Sequence, residues 1–323
     1  MRKRFWFAGG LAVAALGLVI INASELAPEP PGQPQILAHR GVYQRYDRTN
    51  LQLDTCTASR MLPPTHSLLE NTLPSMKAGF DAGAAIVEID VQPTTDGHFA
   101  VFHDWTVDCR TDGHGVTREH TLAQLQTLDI GYGYTANGGK TYPFRGKFKG
   151  QMPSLKQALE AFPDRRFLIN IKSNDPKEAD QLVAYLKANG LMHQRLSAYG
   201  GDRPIARLRQ IAPAMRPFSK QTLKACAWRY LALGWTGHMP DACRNTIVFL
   251  PQDMAWLAWG YPNRLQQRFS DAGSDIFLLG PNSGKNGVVG IDSIEALEQV
   301  PHSWRMGILT DEIETIGPAS KHR

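Results

Sequence analysis

The chain has 323 residues, a formal net charge of +5 and a hydrophobic content of 42%. This size allows one large domain or two small ones, and the hydrophobic content allows a sizeable core. Part of the positive charge comes from Arg2, Lys3 and Arg4, and no Lys/Arg cluster interleaved with aromatic residues is present. The sequence therefore argues against nucleic-acid binding, and nothing in it predicts a protein partner.

The N-terminus has the pattern of a targeting segment. The basic start is followed by an uncharged, mostly apolar stretch from Phe5 to Asn22 and then by a Pro-rich segment. The apolar stretch is long for a signal peptide and just reaches the length of a membrane span. Ala23 suits the position before a cleavage site, but the residues before it do not. We favour a membrane anchor over a cleaved signal peptide for residues 1–27, with 28–34 as a linker. Either way, the body is exported to the periplasm or another extracytoplasmic space.

Four cysteines become informative if the body is exported. Cys56, Cys109, Cys226 and Cys243 form an even set without a Cys-x-x-Cys spacing, so a metal site is not indicated. We prefer the disulfides Cys56–Cys109 and Cys226–Cys243 among the three possible pairings, because the second closes a short local loop. Buried free thiols remain the alternative.

Short apolar runs alternate with helical patterns from residue 35 onward. The predicted strands, in chain order, are Gln35–His39, Ala85–Val91, Phe99–His103, Arg166–Ile171, Leu196–Tyr199, Met215–Phe218, Ile247–Pro251, Asp275–Leu279 and Met306–Thr310. The predicted helices are Leu73–Gly83, Ser154–Phe162, Pro176–Asn189, Pro204–Ile211, Leu223–Leu233, Pro262–Ala272 and Ser293–Gln299. Alternating strands and helices predict a parallel sheet covered by helices, and this length favours closure into a (β/α)₈ barrel.

One connection does not fit a regular barrel. Between Asp90 and His103 there is no room for a crossover helix, and Thr95-Asp96-Gly97 is a good turn, so the local prediction is an antiparallel hairpin. A regular barrel would require Gln92–Asp96 to return as an extended loop. Two further segments look like insertions: residues 42–67, and residues 105–151 with one short helix at Leu122–Leu128.

Polar residues lie at the ends of several predicted strands. In a parallel α/β barrel the carboxyl ends of the strands converge, and active sites form there. Glu88 and Asp90 interrupt an apolar run and face the same side of a strand. A half-exposed strand with a wet acidic face is the alternative interpretation of this pair. The other strand-end groups are His39 with Arg40, His103 with Asp104, and Asn170 with Lys172.

These side chains suit phosphodiester cleavage. Glu88 and Asp90 offer the hard oxygen ligands that Ca²⁺ or Mg²⁺ prefers. His39 and His103 can divide acid and base work near neutral pH. Arg40 and Lys172 can contact phosphate oxygens. Taken singly, each has a structural explanation, such as a hydrogen-bonded core histidine, a surface ion pair or a solvated strand end.

The sequence resembles the glycerophosphodiester phosphodiesterase family. The motifs that carry the likeness are His39-Arg40-Gly41, Glu70-Asn71-Thr72, Glu88-Ile89-Asp90-Val91, Thr95-Asp96-Gly97, His103-Asp104 and Gly307-Ile308-Leu309-Thr310-Asp311. The resemblance covers residues 35–317, leaving 318–323 as a tail.

That resemblance implies a distorted (β/α)₈ barrel with a small insertion, 105–151, near its mouth. It implies a bound divalent cation and hydrolysis of small-molecule or lipid-derived glycerophosphodiesters to sn-glycerol 3-phosphate and an alcohol. The family's acid/base pair corresponds to His39 and His103, its metal ligands to Glu88 and Asp90, and its phosphate contacts to Arg40 and Lys172. Glu70 matches a supporting or metal-linked carboxylate.

Two departures from the family pattern bear on function. Asn170 stands where the family usually has a metal-binding Glu, so a negative charge is lost although the amide oxygen can still ligate a cation. The segment 42–67 separates the first two motifs more widely than usual and is expected to fold over the mouth. Asp311 matches a family position, but a turn or helix-cap role is equally consistent with the sequence.

Other functions remain open. The anchor would make lipid substrates accessible, which favours a related lysophospholipase D or phosphoinositide phospholipase-like enzyme as the second hypothesis. The substitution at Asn170 motivates a third, a barrel that binds phosphodiesters without turnover.

Overall fold

The computed structural model describes residues 16–52, 54–192, 195–281 and 289–321. Eight parallel strands form a barrel-like sheet in the order β6-β5-β4-β2-β1-β9-β8-β7, with β3 paired to β2 outside this path. The strands are β1 Gln35–Ala38, β2 Ile86–Pro93, β3 Phe99–Val101, β4 Arg166–Ile171, β5 Leu196–Gly200, β6 Phe218–Ser219, β7 Ile247–Pro251, β8 Asp275–Leu279 and β9 Gly307–Thr310.

Helices follow most of the barrel strands. They are α1 at residues 16–22, α2 Leu73–Asp81, α3 Leu122–Leu125, α4 Leu155–Ala161, α5 Lys177–Ala188, α6 Asp202–Ile211, α7 Lys220–Leu233, α8 Asn263–Asp271, α9 Ile294–Glu298 and α10 Ile313–Ser320. Thr121, Ser154 and Ser219 form capping boxes, which pair the N-cap and N3 backbone N–H groups at the starts of α3, α4 and α7. The main core lies between sheet and helices, and a smaller cluster including Leu37, Leu168 and Phe277 fills the barrel.

The barrel has a seam between β6 and β7. Within the described parts of the chain, no strand pairing joins these two neighbours, which end the sheet order. The rings of Phe218 on β6 and Phe249 on β7 pack edge to face with centroids 5.0 Å apart. Aromatic packing thus replaces hydrogen bonds at the point of closure.

The predicted hairpin and the predicted barrel are both present. β2 and β3 pair antiparallel, with Val91 opposite Val101, so the hairpin prediction is confirmed. The expectation that Gln92–Asp96 must form an extended return is wrong, because β2 continues to Pro93 and β3 is not part of the barrel wall.

Two other boundaries differ from the prediction. Met215 lies in a 3-10 turn, Pro213–Met215, that precedes the two-residue β6, so the strand predicted from Met215 is shorter. Residues 318–321 are not a separate tail, since α10 continues through Pro318 to the buried Ser320.

The two insertions form one substructure. Both preferred disulfides are present, and Cys56–Cys109 links the segment 42–67 to the segment 105–151. A second hydrophobic core spans both, with Ala58 and Met61 from the first and Ile130 and Phe144 among those from the second. The backbone N–H of Thr135 donates to the carbonyl of Ala58 at 3.0 Å. The insertions are therefore packed together as a single unit.

The start of the described chain lies against the barrel. Arg268 on α8 donates to the carbonyl of Ile21 at 2.9 Å, and the Asn263 N–H donates to Ser24 Oγ at 2.8 Å. Within the described ranges, no helix is both long and apolar enough to span a bilayer. Most of the predicted N-terminal segment lies outside those ranges.

Candidate functional site

The predicted site residues meet at the carboxyl ends of the barrel strands. His39 follows β1, Glu88 and Asp90 belong to β2, and Asn170 on β4 is the register partner of Asp90. Lys172 comes directly after β4. All three strands are adjacent in the sheet, so five predicted residues share one edge of the barrel.

Asp90 is a fully buried anion that accepts two amide hydrogen bonds and lies close to two cations. Asn170 and Asn71 each donate to its carboxylate at 2.9 Å. Lys172 Nζ lies 3.3 Å from Oδ1 and Arg40 Nε 3.3 Å from Oδ2. Burial would raise the pKa of Asp90, but Lys172 and Arg40 outweigh it and hold the pKa well below its usual range. Asp90 therefore positions both predicted phosphate-binding cations.

Arg40 has an unused donor at this point. Its Nη1 donates to Glu70 at 2.9 Å, but its buried Nε–H has no well-aligned acceptor among the described residues, despite its proximity to Asp90. A buried N–H without an acceptor is costly unless a ligand supplies one. A phosphate oxygen is an acceptor of the right charge.

Glu88 is buried, and no Lys or Arg among the described residues forms an ion pair with it. Tyr199 donates its hydroxyl to Oε1 at 2.7 Å and the backbone N–H of Arg40 donates to Oε2 at 3.2 Å. The nearest histidine atom, His39 Nε2, is 3.9 Å away. Burial and the neighbouring Asp90 raise the pKa of Glu88, against the opposing effects of His39 and Arg40. A bound cation beside Glu88 would offset the free-energy cost of burying its charged carboxylate.

His39 is oriented by Asp311, which follows the last barrel strand. The imidazole Nδ1–H donates to Asp311 Oδ1 at 2.6 Å, leaving Nε2 to exchange protons. Asp311 also accepts from Arg48 in the first insertion, and Arg48 bonds the Tyr43 hydroxyl at 2.9 Å. Burial and Arg40 lower the pKa of His39, but Asp311 and Glu88 outweigh them, and the net shift is upward.

His103 has a matching arrangement of partners. Its Nδ1–H donates to Asp104 Oδ1 at 2.7 Å, and Arg110 Nε donates to the other Asp104 oxygen at 2.8 Å. Burial and the charge of Arg40 lower the pKa of His103 to about 4. Burial would raise the pKa of Asp104, but Arg110 and His103 reverse the shift. Each predicted catalytic histidine is thus held by an Asp that is itself held by an Arg.

Glu70 joins the two halves of the site through arginines. Its oxygens contact Arg40 at 2.9 Å and Arg110 at 3.1 Å. Burial opposes the charged form, yet the two guanidinium groups lower the pKa of Glu70. Arg110 also donates to the Thr57 hydroxyl at 2.6 Å, connecting this network to the first insertion. These contacts fit the supporting position expected for Glu70.

Local backbone geometry explains the His39-Arg40-Gly41 sequence. Arg40 and Gly41 both have positive φ, 59° and 78°. A Cβ on Gly41 would lie 2.5 Å from Ser75 Oγ and 2.8 Å from the Ser75 carbonyl, so only glycine fits. The sharp turn lets successive side chains point to different partners, His39 to Asp311 and Arg40 to Glu70.

Several site residues were not assigned a role from sequence. For Asp311 the sequence is equally consistent with a turn or helix-cap role and with a site role, and in the structure its carboxylate contacts His39. Asn71 and Asp104 lay inside recognised motifs, where their partners could have been guessed. Arg110 lies only six residues from Asp104, but its contact with Glu70 and the contact of Tyr199 with Glu88 join residues far apart in the chain and carry no local signal.

The side chains around Asp90 provide only a few oxygen ligands for a cation, but these are of a suitable kind. No group of three or more His, Cys, Asp or Glu residues able to hold a metal occurs in the described part of the chain. Glu88 and Asp90 supply two carboxylates, and Asn170 supplies one amide whose nitrogen now contacts Asp90. Oxygen donors of this kind suit Ca²⁺ or Mg²⁺, but a cation would have to compete with the nitrogen donors around Asp90.

Comparisons with known proteins identify relatives. The sequence profile of the glycerophosphoryl diester phosphodiesterase family matches residues 39–208, more than half of the chain. A glycerophosphodiester phosphodiesterase of Caldanaerobacter subterraneus is 38% identical over 104 residues, covering 32% of this chain and 39% of its own. Another from Bacillus subtilis is 33% identical over 136 residues, covering 40% and 43% respectively. The matched segments span about two fifths of these curated relatives.

Solved structures show the same fold. The glycerophosphoryl diester phosphodiesterase domain of a Mycobacterium tuberculosis protein superposes with a TM-score of 0.61 at 19% identity, covering 90% of this chain and all of that domain. An Oleispira antarctica phosphodiesterase in complex with the product sn-glycerol-3-phosphate gives a TM-score of 0.56 at 17% identity, covering 90% and 98%. At these identities the likeness supports the barrel fold alone.

Proposed function

The chain belongs to the glycerophosphoryl diester phosphodiesterase family, and we propose that it hydrolyses glycerophosphodiesters to sn-glycerol 3-phosphate and an alcohol. The observation that carries this proposal is the pair of Asp-held imidazoles beside Arg40 and Lys172 at one edge of the barrel. Acid, base and phosphate-binding cations are the parts that phosphodiester cleavage needs. A structural neighbour in complex with sn-glycerol-3-phosphate is consistent with this substrate class.

The proposed reaction uses the two histidines in turn. A water or a neighbouring glycerol hydroxyl loses its proton to Nε2 of one imidazole as its oxygen bonds to phosphorus. The bond from phosphorus to the departing alcohol oxygen breaks, and the other imidazole protonates that oxygen. When the nucleophile is the glycerol hydroxyl, this step gives a cyclic phosphate. Water then attacks phosphorus with the imidazoles in exchanged roles, and the ring P–O bond breaks to give sn-glycerol 3-phosphate. Asp311 and Asp104 stabilise the imidazolium that forms in each position, while Arg40 and Lys172 stabilise the charge on the non-bridging oxygens.

We also propose that Glu88, Asp90 and the Asn170 amide oxygen hold one divalent cation, Ca²⁺ or Mg²⁺. When bound, such a cation supplies positive charge to the phosphate. The raised pKa of the buried Glu88, caused by desolvation and by Asp90, supports a cation at this position. Calorimetric titration of the full chain with each metal tests this: Glu88→Gln should abolish the binding heat, and undiminished binding in that variant would overturn the assignment.

The catalytic assignment is tested by His39→Gln and His103→Gln. We expect each to lower kcat/KM for glycerophosphocholine by at least about 10²-fold, with an unchanged far-UV spectrum, because proton transfer is lost. His114→Gln is the matched control, since that side chain is 89% exposed and contacts Asp108 in the second insertion. Full activity in either site variant, or no turnover by the wild type, would overturn the proposal.

Two further points need separate tests. A substrate panel that compares glycerophosphocholine with lysophosphatidylcholine separates this activity from a lysophospholipase D or phosphoinositide phospholipase-like one. We propose export to the periplasm or another extracytoplasmic space, supported by two disulfides and by the basic and apolar N-terminal sequence. Cell fractionation, with N-terminal sequencing of the product, distinguishes an anchor from a cleaved signal peptide.

A further inference from the structure

One flank of the barrel exposes an unusual number of large apolar side chains. Trp228 and Trp256 are 71% and 73% exposed, among the highest values for large apolar side chains in the described residues. Leu233, Trp235, Leu257 and Trp259 are also exposed, and the six residues together are called the tryptophan face here. Exposed apolar groups are normal singly, but a cluster of this kind marks an interaction surface.

The face is built from two segments that are bonded to each other. The first is the second half of α7 with its following turn, and the second is the 3-10 segment Gln252–Leu257 with the loop after it. The indole of Trp259 donates to the Leu231 carbonyl at 2.9 Å, and the Tyr230 hydroxyl donates to the Trp259 carbonyl at 2.8 Å. Trp228 lies one helical turn before Leu231 and so belongs to the same surface.

Three of the four indoles have already satisfied their only hydrogen-bond donor. Trp235 donates to the Ala232 carbonyl at 2.9 Å, Trp256 to the Asp253 carbonyl at 3.1 Å, and Trp259 to Leu231. An indole has one N–H and no acceptor. These rings can therefore leave water for an apolar medium without leaving a buried N–H unpaired.

The start of the described chain leads directly to this face. Arg268 donates to the carbonyls of both Ile21 and Gly234 at 2.9 Å, and Asn22 donates to the Trp235 carbonyl at 2.6 Å. In α1, the side chains of Leu16, Leu18, Val19 and Ile20 are exposed. Before them in the sequence come the apolar stretch beginning at Phe5 and the basic residues 2–4. The described chain therefore begins next to the tryptophan face.

Charge next to the face favours an anionic surface. Residues 220–239 contain Lys220, Lys224 and Arg229 and no Asp or Glu, and residues 252–259 add one acid, Asp253, so the two segments together carry net positive charge. Basic residues beside exposed aromatic rings are the pattern of a protein surface at the boundary of lipid headgroups and acyl chains. Tryptophan is the side chain most typical of that boundary.

We propose that the tryptophan face of the folded barrel binds the surface of an anionic lipid bilayer. The face begins at the 3-10 segment that leaves the carboxyl end of β7, the same end of the barrel at which the site lies. From there the face runs along α7, which follows β6 and ends at Leu233 toward the opposite end of the barrel, so lipid contact would lie along this flank. The contact involves the body of the protein and is separate from any anchoring by the N-terminal stretch.

The test uses the full chain, with Trp6→Phe in every protein so that fluorescence from the N-terminal stretch does not contribute. The protein is added to vesicles of phosphatidylcholine and phosphatidylglycerol with brominated acyl chains, which quench indoles at the bilayer boundary. We expect strong quenching, falling by about half in Trp228→Ala/Trp256→Ala because two of the four face indoles are removed. Trp105→Ala, which removes an indole that is 49% exposed in the second insertion, is the matched control and should leave the quenching unchanged.

Two results would overturn the proposal. One is quenching that is the same with and without Trp228 and Trp256. The other is that neither the wild type nor the double variant is quenched, and that in sedimentation the wild type is a dimer whereas the double variant is a monomer. That result would make the face a self-association surface. Each single variant gives a smaller drop, so the outcome does not depend on the double variant folding. Weaker quenching in vesicles of phosphatidylcholine alone is expected from the cationic flank.

Discussion

Restoring a carboxylate at Asn170 offers a sharp test of the cation site. The Asn170 amide donates to Asp90 at 2.9 Å, so Asn170→Glu places a second anion against a fully buried one. Like charges about 4 Å apart repel by about 4 kcal/mol at an effective dielectric constant of about 20, and Lys172 offsets part of this. We expect the variant to be about 2–4 kcal/mol less stable than the wild type in EDTA, which lowers its thermal midpoint by about 4–8 °C.

A divalent cation should reverse this loss. Binding to the folded state alone raises stability, so added Ca²⁺ or Mg²⁺ should raise the midpoint of Asn170→Glu more than that of the wild type. Thermal unfolding followed by circular dichroism, with and without EDTA, measures both effects. Asn170→Gln is the matched control, because it has the length of Glu without the charge and should show no such metal dependence. An Asn170→Glu protein as stable as the wild type in EDTA, or insensitive to cations, would refute this reasoning.

Three other predictions concern the residues that hold the site together. Arg110→Met leaves Glu70 and Asp104 buried without their shared guanidinium and should cost about 3–5 kcal/mol in urea unfolding; a loss below about 1 kcal/mol would contradict the buried network. Asp311→Asn should lower kcat by about 10²-fold or more while changing KM little, because His39 loses its orienting carboxylate; an unchanged kcat would make Asp311 merely structural. Cys56→Ser/Cys109→Ser removes a link between residues 53 apart and should cost about 4 kcal/mol in the same unfolding measurement, whereas an unchanged midpoint would show that the insertions hold together without it.

The sequence was most informative where structure is local. The alternation in β2 placed Glu88 and Asp90 on one side of a strand, and the strand ends of β1 and β4 brought His39 and Lys172 to the same edge. The hairpin after Asp90 was likewise readable from its turn residues. These features depend on backbone periodicity, which a single sequence displays directly.

Contacts between residues far apart in the chain could not be predicted from local sequence patterns. Arg48 reaches Asp311 across 263 positions, and Tyr199 reaches Glu88 across 111. Such partners are chosen by tertiary packing, and neither residue differs locally from an ordinary surface Arg or core Tyr. Whether the Asn170 amide presents its nitrogen or its oxygen to Asp90 is also determined by the neighbouring side chains, because an amide can donate or accept a hydrogen bond.

The joining of the two insertions limits how this protein can be changed by recombination. One cystine and one apolar core connect the segments 42–67 and 105–151, although the barrel strand β2 and its hairpin partner β3 separate them along the chain. Replacing either segment with its counterpart from a relative would leave half of a core and one unpaired thiol. Their natural unit of exchange is therefore the whole stretch from Val42 to Gln151, which carries the strand bearing Glu88 and Asp90 with it. Gene shuffling that breaks within this stretch should yield few folded products, and breakpoints after Gln151 should be tolerated far better.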